Sequence, residues 1–305
     1  MQDVVIVGGS FGGLSAALQL GRASRTVAVV DAGAPRNRAS EAAHGVPGWD
    51  GKPPGDILAA FKADVQRYPS VTRCDGEVVS VGGDRDNFEI TLASGETIPA
   101  RRIILAHGVA DMLPDLPGCD QAWGKSLLHC PYCHGFEVRG RPLAVLANHA
   151  MSGHQVELLR ADWSDDVTVL TGVTGDFEAA GSLSDGLKAD PRFVERLNLT
   201  ATGISVVFDD GAQSEFAAVF AAPRISLSGT PADMLGCASA SGPLGPFVQT
   251  GPMGQTSVDG VFAAGDCARP SHNVTSAIGD GATAGIGCHQ SLVFPQLIQP
   301  LEAAA

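Results

Sequence analysis

Positive charge is scarce in this sequence: 20 Lys and Arg stand against 33 Asp and Glu, a formal net charge of −13. A nucleic-acid partner needs clustered Lys and Arg to neutralise phosphates, so none is expected. No apolar run is long enough to span a bilayer, and no membrane partner is expected either. The start, Met1-Gln2-Asp3, lacks the basic region and cleavage site of a secretory signal. The expected location is therefore cytoplasmic, where thiols stay reduced and a close Cys pair is catalytic or metal-binding rather than structural. Structural zinc usually needs four ligands, and the sequence has no second C-x-x-C pair; His129 and His134 flank the one pair but do not by themselves complete a convincing tetrahedral cage with it, so no metal is expected.

What is present is enough to fold. The 305 residues are 44% hydrophobic and 17% charged, which suits two domains with large cores. The 38 glycines follow no collagen-like period and suggest tight turns and close backbone approaches.

The first such turn follows at once. Val4-Val5-Ile6-Val7 reads as a buried parallel strand, Gly8-Gly9-Ser10-Phe11-Gly12-Gly13 as a turn, Leu14 to Leu20 as a helix, and Thr26 to Val30 as a second strand ending at Asp31. This is a βαβ unit with the dinucleotide fingerprint in its proper context. Gly8 allows the tight turn and Gly13 the close helix–strand packing. A pyrophosphate would sit on the helix N-terminus, and Asp31 would accept hydrogen bonds from ribose hydroxyls. The pattern's middle glycine is Ser10, which leaves the backbone less open to phosphate. A glycine-rich turn without a ligand is the plain alternative.

Gly260-Val261-Phe262-Ala263-Ala264-Gly265-Asp266 is a second short strand ending in Gly-Asp, followed by a helix from about Thr275 to Leu292. Midway, His129-Cys130-Pro131-Tyr132-Cys133-His134-Gly135 places two Cys within one helical turn, with Pro131 where a missing N–H costs nothing. A helix N-terminus favours thiolate, which suits a redox-active pair. Zinc or an inert pair are the alternatives. Cys74, Cys119, Cys237, Cys267 and Cys288 are scattered and read as small buried hydrophobes.

Together, the fingerprint, the C-P-Y-C-H run and the terminal GVFAAGD resemble the low-molecular-weight thioredoxin reductase family over almost the whole chain. The resemblance implies an α/β fold of two dinucleotide-binding (Rossmann-like) domains, the second inserted in the first. An FAD domain would span residues 1–112 and 248–305, and residues 113–247 would form the inserted domain with the Cys pair. It implies a homodimer, with FAD held by Gly8, Gly9, Ser10, Gly12, Gly13, Asp31, Gly265 and Asp266. It also implies that Cys133 faces the flavin, that Cys130 exchanges with the substrate sulfur, and that His134 stands where family members carry an acid/base group. The roles of His44, His129 and Tyr132 stay open.

In the inserted domain the strand Pro142 to Leu146 leads into Ala147-Asn148-His149-Ala150-Met151-Ser152-Gly153, which lacks the fingerprint glycines. After the strand Asp166 to Leu170, the segment Thr171 to Asp176 carries no Arg for an NADP 2′-phosphate, and Asp176 would repel one. NADPH is therefore not expected as donor. The chain then looks like the dithiol oxidases of natural-product pathways, as in gliotoxin, holomycin and romidepsin formation: a small-molecule dithiol is oxidised, O₂ accepts the electrons and H₂O₂ forms. Asp31 to Asn37 and His44-Gly45 are also similar to that branch. A disulfide reductase fed by NADPH or ferredoxin and a non-enzymatic redox sensor are the alternatives. Residues 301–305 are expected to include a cloning remnant.

Overall fold

The computed structural model describes residues 1–174 and 187–301; Gly175, Asp176 and residues 302–305 lie outside them. The chain divides into two compact units, one of Met1–Arg36, Gly55–Ala110 and Ile225–Ala305, the other of Asn37–Pro54 and Asp111–Arg224.

The first unit is built on a seven-stranded sheet. Gln2–Val7 pairs in parallel with Val27–Asp31 on one side and Thr97–Leu105 on the other, and Val71–Asp75 extends the parallel run beyond Val27–Asp31. Val261–Ala263 joins Thr97–Leu105 in parallel, in register Val261 with Ile103. Val4, Val5 and Ile6 are fully buried, as expected of strands covered on both faces. Asn87–Leu92 and Val78–Asp84 add an antiparallel extension.

The second unit repeats the plan. Leu143–Leu146 is flanked in parallel by Val167–Gly172 and Ala218–Phe220, with Leu127–Leu128 outermost on the latter side. Lys188–Thr200 pairs in parallel with Val167–Gly172 and then turns back antiparallel through Gly203–Phe208 and Gln213–Phe216. Leu143 to Ala147 are all fully buried. Both units are thus doubly wound α/β layers of the dinucleotide-binding type, the second inserted in the first.

Two helices of the first unit meet almost backbone to backbone. Phe11–Arg22 and Val274–Val293 carry Gly, Ala and Ser where they touch. A Cβ on Gly281 would overlap the Gly12 carbonyl, and one on Gly285 would lie 2.9 Å from the Ala16 carbonyl oxygen. The Ser15 hydroxyl donates to the Ile278 carbonyl at 2.7 Å. Farther along, the buried Arg102 guanidinium donates to the Ser291 hydroxyl and carbonyl, each at 3.0 Å, and to Asp86 at 2.8 Å. A buried cation with these partners at a helix C-terminal turn is well satisfied.

This packing leaves no room for one methyl group. Gly281→Ala is expected to cost about 1–3 kcal/mol and to lower the Tm by roughly 3–10 °C. Thermal denaturation checks it; an unchanged Tm would mean the helices separate without penalty.

Candidate redox site

The glycine turn closes for steric reasons. Gly8 has φ +110°, and a Cβ there would overlap the Ala106 carbonyl. A Cβ on Gly13 would overlap the carbonyl of Gly8 itself. Ser10 caps the following helix in an extended conformation, φ −93° and ψ −160°. Any L-residue adopts that region, so the missing middle glycine costs the turn nothing. The helix has no acidic residue in its first turn, which keeps its N-terminus open to an anion.

The sequence-distant pieces come together here. A Cβ on Gly12 would lie 3.6 Å from the Gly265 Cα, and one on Gly9 2.7 Å from the Asp31 Cβ. Gly265 has φ +74°. Asp31 accepts from the Gly33 N–H at 3.2 Å and stands 4.0 Å from the Lys62 ammonium. Asp266 is paired with Arg36 at 3.0 Å. Arg36 escaped sequence reasoning; the turn Asp31 to Asn37 was noticed without a partner for its Arg. Also missed was Ala106-His107-Gly108, directly after Thr97–Leu105 and beside Gly8. Both ring nitrogens of His107 are shielded from solvent, and burial pushes its pKa down to about 4 against the opposing Gly108 and Ser228 backbone groups and Asp233. The signal was a parallel strand ending in a small-polar-Gly turn next to the first strand.

The Cys pair lies in the second unit. Cys130 caps the helix Pro131–Val138 in an extended conformation, with Pro131 at its first position. The Cys133 N–H donates to the Cys130 carbonyl at 3.1 Å, and both Cys are half-buried. A Cβ on Gly135 would press into the Trp163 indole at 2.8 Å, which seats the helix on Trp163. Tyr132 packs edge-on against the same indole, ring centroids 5.6 Å apart, and remains exposed. The Gln155 amide donates to the His129 carbonyl at 2.6 Å and so holds the residue just before Cys130. Burial lowers the pKa of His134 below the ordinary imidazole value; His44 adds to that and Glu137 opposes it. A neutral His134 can accept a proton near neutral pH. Among the described residues no cluster of three His, Cys, Asp or Glu could hold a metal ion, and no helix is long and apolar enough to cross a membrane.

The turn after Leu143–Leu146 is built differently from the first. The Met151 N–H donates to the His149 ring at 3.1 Å, and the His149 N–H to the Ser152 hydroxyl at 3.2 Å. Ser152 in turn donates to the Leu146 carbonyl at 2.8 Å. His149, Ser152 and Gln155 are buried in this turn, so side chains fill it.

The family of pyridine nucleotide-disulphide oxidoreductases matches residues 2–153. Thioredoxin reductase sirT of Leptosphaeria maculans is 33% identical over 304 residues, covering 93% of this chain and 92% of that protein. Thioredoxin reductase aclD of Aspergillus oryzae is 34% identical over 314 residues, covering 96% and 97%. This chain belongs to the thioredoxin reductase-like disulfide oxidoreductases. Its fold matches the crystal structure of the oxidoreductase from Agrobacterium tumefaciens with a TM-score of 0.88 and 39% identity, over 96% of this chain and 99% of that one. It is accordingly an oxidoreductase of an FAD-binding family whose members act on dithiols or disulfides.

For this thioredoxin reductase-like protein the thiols should sort by burial. Burial pushes Cys119 up to about 11 and Cys267 up to about 12, and raises Cys74, Cys237 and Cys288 as well. Iodoacetamide added to the reduced native protein at pH 8 is expected to label Cys130 and Cys133 first, and Cys267 and Cys288 only after denaturation. Peptide mass mapping checks the order; early labelling of Cys267 or Cys288 would contradict it.

Proposed function

We propose that this chain is an FAD-dependent dithiol oxidase that closes a disulfide in a small molecule, with O₂ as electron acceptor and H₂O₂ as by-product. The observation that carries this reading is the contrast between its two nucleotide turns. The first is an open glycine cradle at a helix N-terminus. The second uses the N–H groups of His149 and Met151 on its own side chains, where a pyrophosphate would need such donors. That contrast supports a chain that keeps FAD and has given up NADPH as donor.

In this reading residues Gly8 to Gly13 bind the FAD pyrophosphate, Asp31 the ribose, and Gly265 with Asp266 the ribitol side. Bound FAD supplies a two-electron acceptor that oxygen can reoxidise. A substrate thiolate attacks Cys130, the Cys130–Cys133 bond breaks, and Cys133 leaves as thiolate. The second substrate thiol then attacks the mixed disulfide and expels Cys130, which releases the closed substrate. His134 takes a thiol proton in these steps. The pair is then reduced, and Cys133 is the sulfur that would face the bound cofactor. Overall a dithiol and O₂ become a disulfide and H₂O₂. The protein acts as a homodimer.

A reductase passing electrons from NADPH to a disulfide is the second reading, favoured by the names of the relatives. One experiment separates them. Anaerobic dithiothreitol is expected to bleach the flavin of the loaded protein, and air to restore it with stoichiometric H₂O₂. Cys130→Ser and Cys133→Ser should abolish the bleaching while retaining flavin. NADPH should bleach it far more slowly than the dithiol does. Fast bleaching by NADPH with none by any dithiol would overturn the oxidase.

A further inference from the structure

Residues 37–54 precede the pair helix by a long stretch of chain yet belong to the same unit. The Ala43 N–H donates to the Lys52 carbonyl and the Gly51 N–H to the Ala43 carbonyl, both at 2.9 Å, which closes the segment into a loop. Ala43 and Val46 are buried beneath it. The Gly45 N–H donates to the Asp50 carboxylate at 2.8 Å and fixes that side chain. His44 at the loop's turn is then flanked twice: its Nδ1 lies 3.7 Å from Asp50, and its Nε2 3.6 Å from Glu137 of the pair helix. Its ring meets the His134 ring edge to face, centroids 6.1 Å apart at 88°.

We propose that His44, held at both nitrogens by Asp50 and Glu137, is a positioning residue that sets whether His134 carries a proton. The inference rests on the role given to His134 in the oxidase reading. His134 follows Cys133 directly, and among the described residues the charged groups that act on it are His44 from the loop and Glu137 from its own helix. Asp50 reaches it only through His44. A charge on His44 disfavours a second charge on the adjacent ring. Asp50 and Glu137 stand within ion-pair distance of the two His44 nitrogens. Neutral His134 is the form that can take a thiol proton. Glu137 acts on both imidazoles, so Asp50 is the better handle on the loop's contribution.

The test uses full-length, FAD-loaded protein labelled with ¹⁵N-histidine and titrated by NMR, with His134→Gln assigning the His134 signals. His44→Gln is expected to raise the His134 midpoint. Asp50→Asn should raise it less, and His154→Gln, on the exposed face of another helix, should leave it unmoved. Retained flavin absorbance reports folding; where His44→Gln loses flavin, His44→Asn takes its place. A His134 midpoint identical in wild type and both His44 variants overturns the inference. The acid limb of anaerobic flavin reduction by dithiothreitol is then measured in the same variants. It should move to higher pH with the midpoint, because a proton already on His134 blocks it as a base. A midpoint that moves while the limb stays would instead sink the role of His134 in the oxidase reading and leave the His44 coupling in place.

Discussion

Backbone-to-backbone closure at the glycine turn is the constraint on which the rest of the first unit depends. Gly8 bends under Ala106, Gly13 lies against the Gly8 carbonyl, and Gly281 lies against Gly12. Each contact forbids a side chain, and together they draw three separate stretches of chain to one point. The first helix can approach the last only because both carry small residues along the shared stripe. That approach sets Gly265 beside Gly12 and fixes where Asp266 stands. The turn gains its polarity from the same geometry, since a tight strand-to-helix turn leaves several N–H groups without intrahelical partners. The cradle is thus a by-product of packing, and its chemistry needs no dedicated cationic side chain. This fits a chain with so few Lys and Arg to spare.

The second unit shows what happens when the topology stays and the closure changes. Its parallel core keeps the first unit's order, with Leu143–Leu146 between Val167–Gly172 and Ala218–Phe220 as Gln2–Val7 lies between Val27–Asp31 and Thr97–Leu105, while its antiparallel strands extend the opposite edge; its central strand is as fully buried. Yet where the first turn has glycines, the second has Asn148, His149 and Met151. The His149 imidazole folds back on the Met151 N–H, and Ser152 ties the turn to the strand end. The N–H groups of His149 and Met151 are thus satisfied within the turn itself. A buried turn that had lost its ligand without such replacement would carry unpaired N–H groups at a cost of about 1–3 kcal/mol each. These side-chain contacts hold the turn closed in the unit that carries the Cys pair.

Sequence order made the first unit's turn legible because every part of the signal is local: strand, glycines, helix and Asp31 follow within one βαβ unit. The helix Phe11–Arg22 runs longer than the Leu14 to Leu20 pattern, since Gly12 and Gly13 have weak helix propensity and hide the first turn. Asp266 was legible as a Gly-Asp strand end, but its Arg36 partner was not, because 230 positions separate them. His107 was overlooked for a related reason. Its neighbour Gly8 is adjacent only through the pairing of Gln2–Val7 with Thr97–Leu105. Residues 37–54 carry no periodic signal, and nothing local in them points to the unit they join. They meet the pair helix through His44, beside Glu137 and His134, and the rest of the unit where Gly124 packs against Ala39.

The distribution of sulfur gives an independent view of the site. Five of the seven Cys are made less acidic by burial, aided at Cys74 by Glu96 and Asp75 and at Cys119 by Asp120. Cys267 stands next to Asp266 and would be the obvious competitor for a cofactor's electrons. Its sulfur instead donates to the Leu105 and Ala264 carbonyls and is fully buried. A thiol spent as a donor in a low-dielectric setting stays protonated and is a poor nucleophile. Cys130 and Cys133 differ in setting: they open a helix, remain half-buried, and have an imidazole next in sequence. The fold thus gives one pair of sulfurs a helix N-terminus and packs the other five within or against its hydrophobic cores.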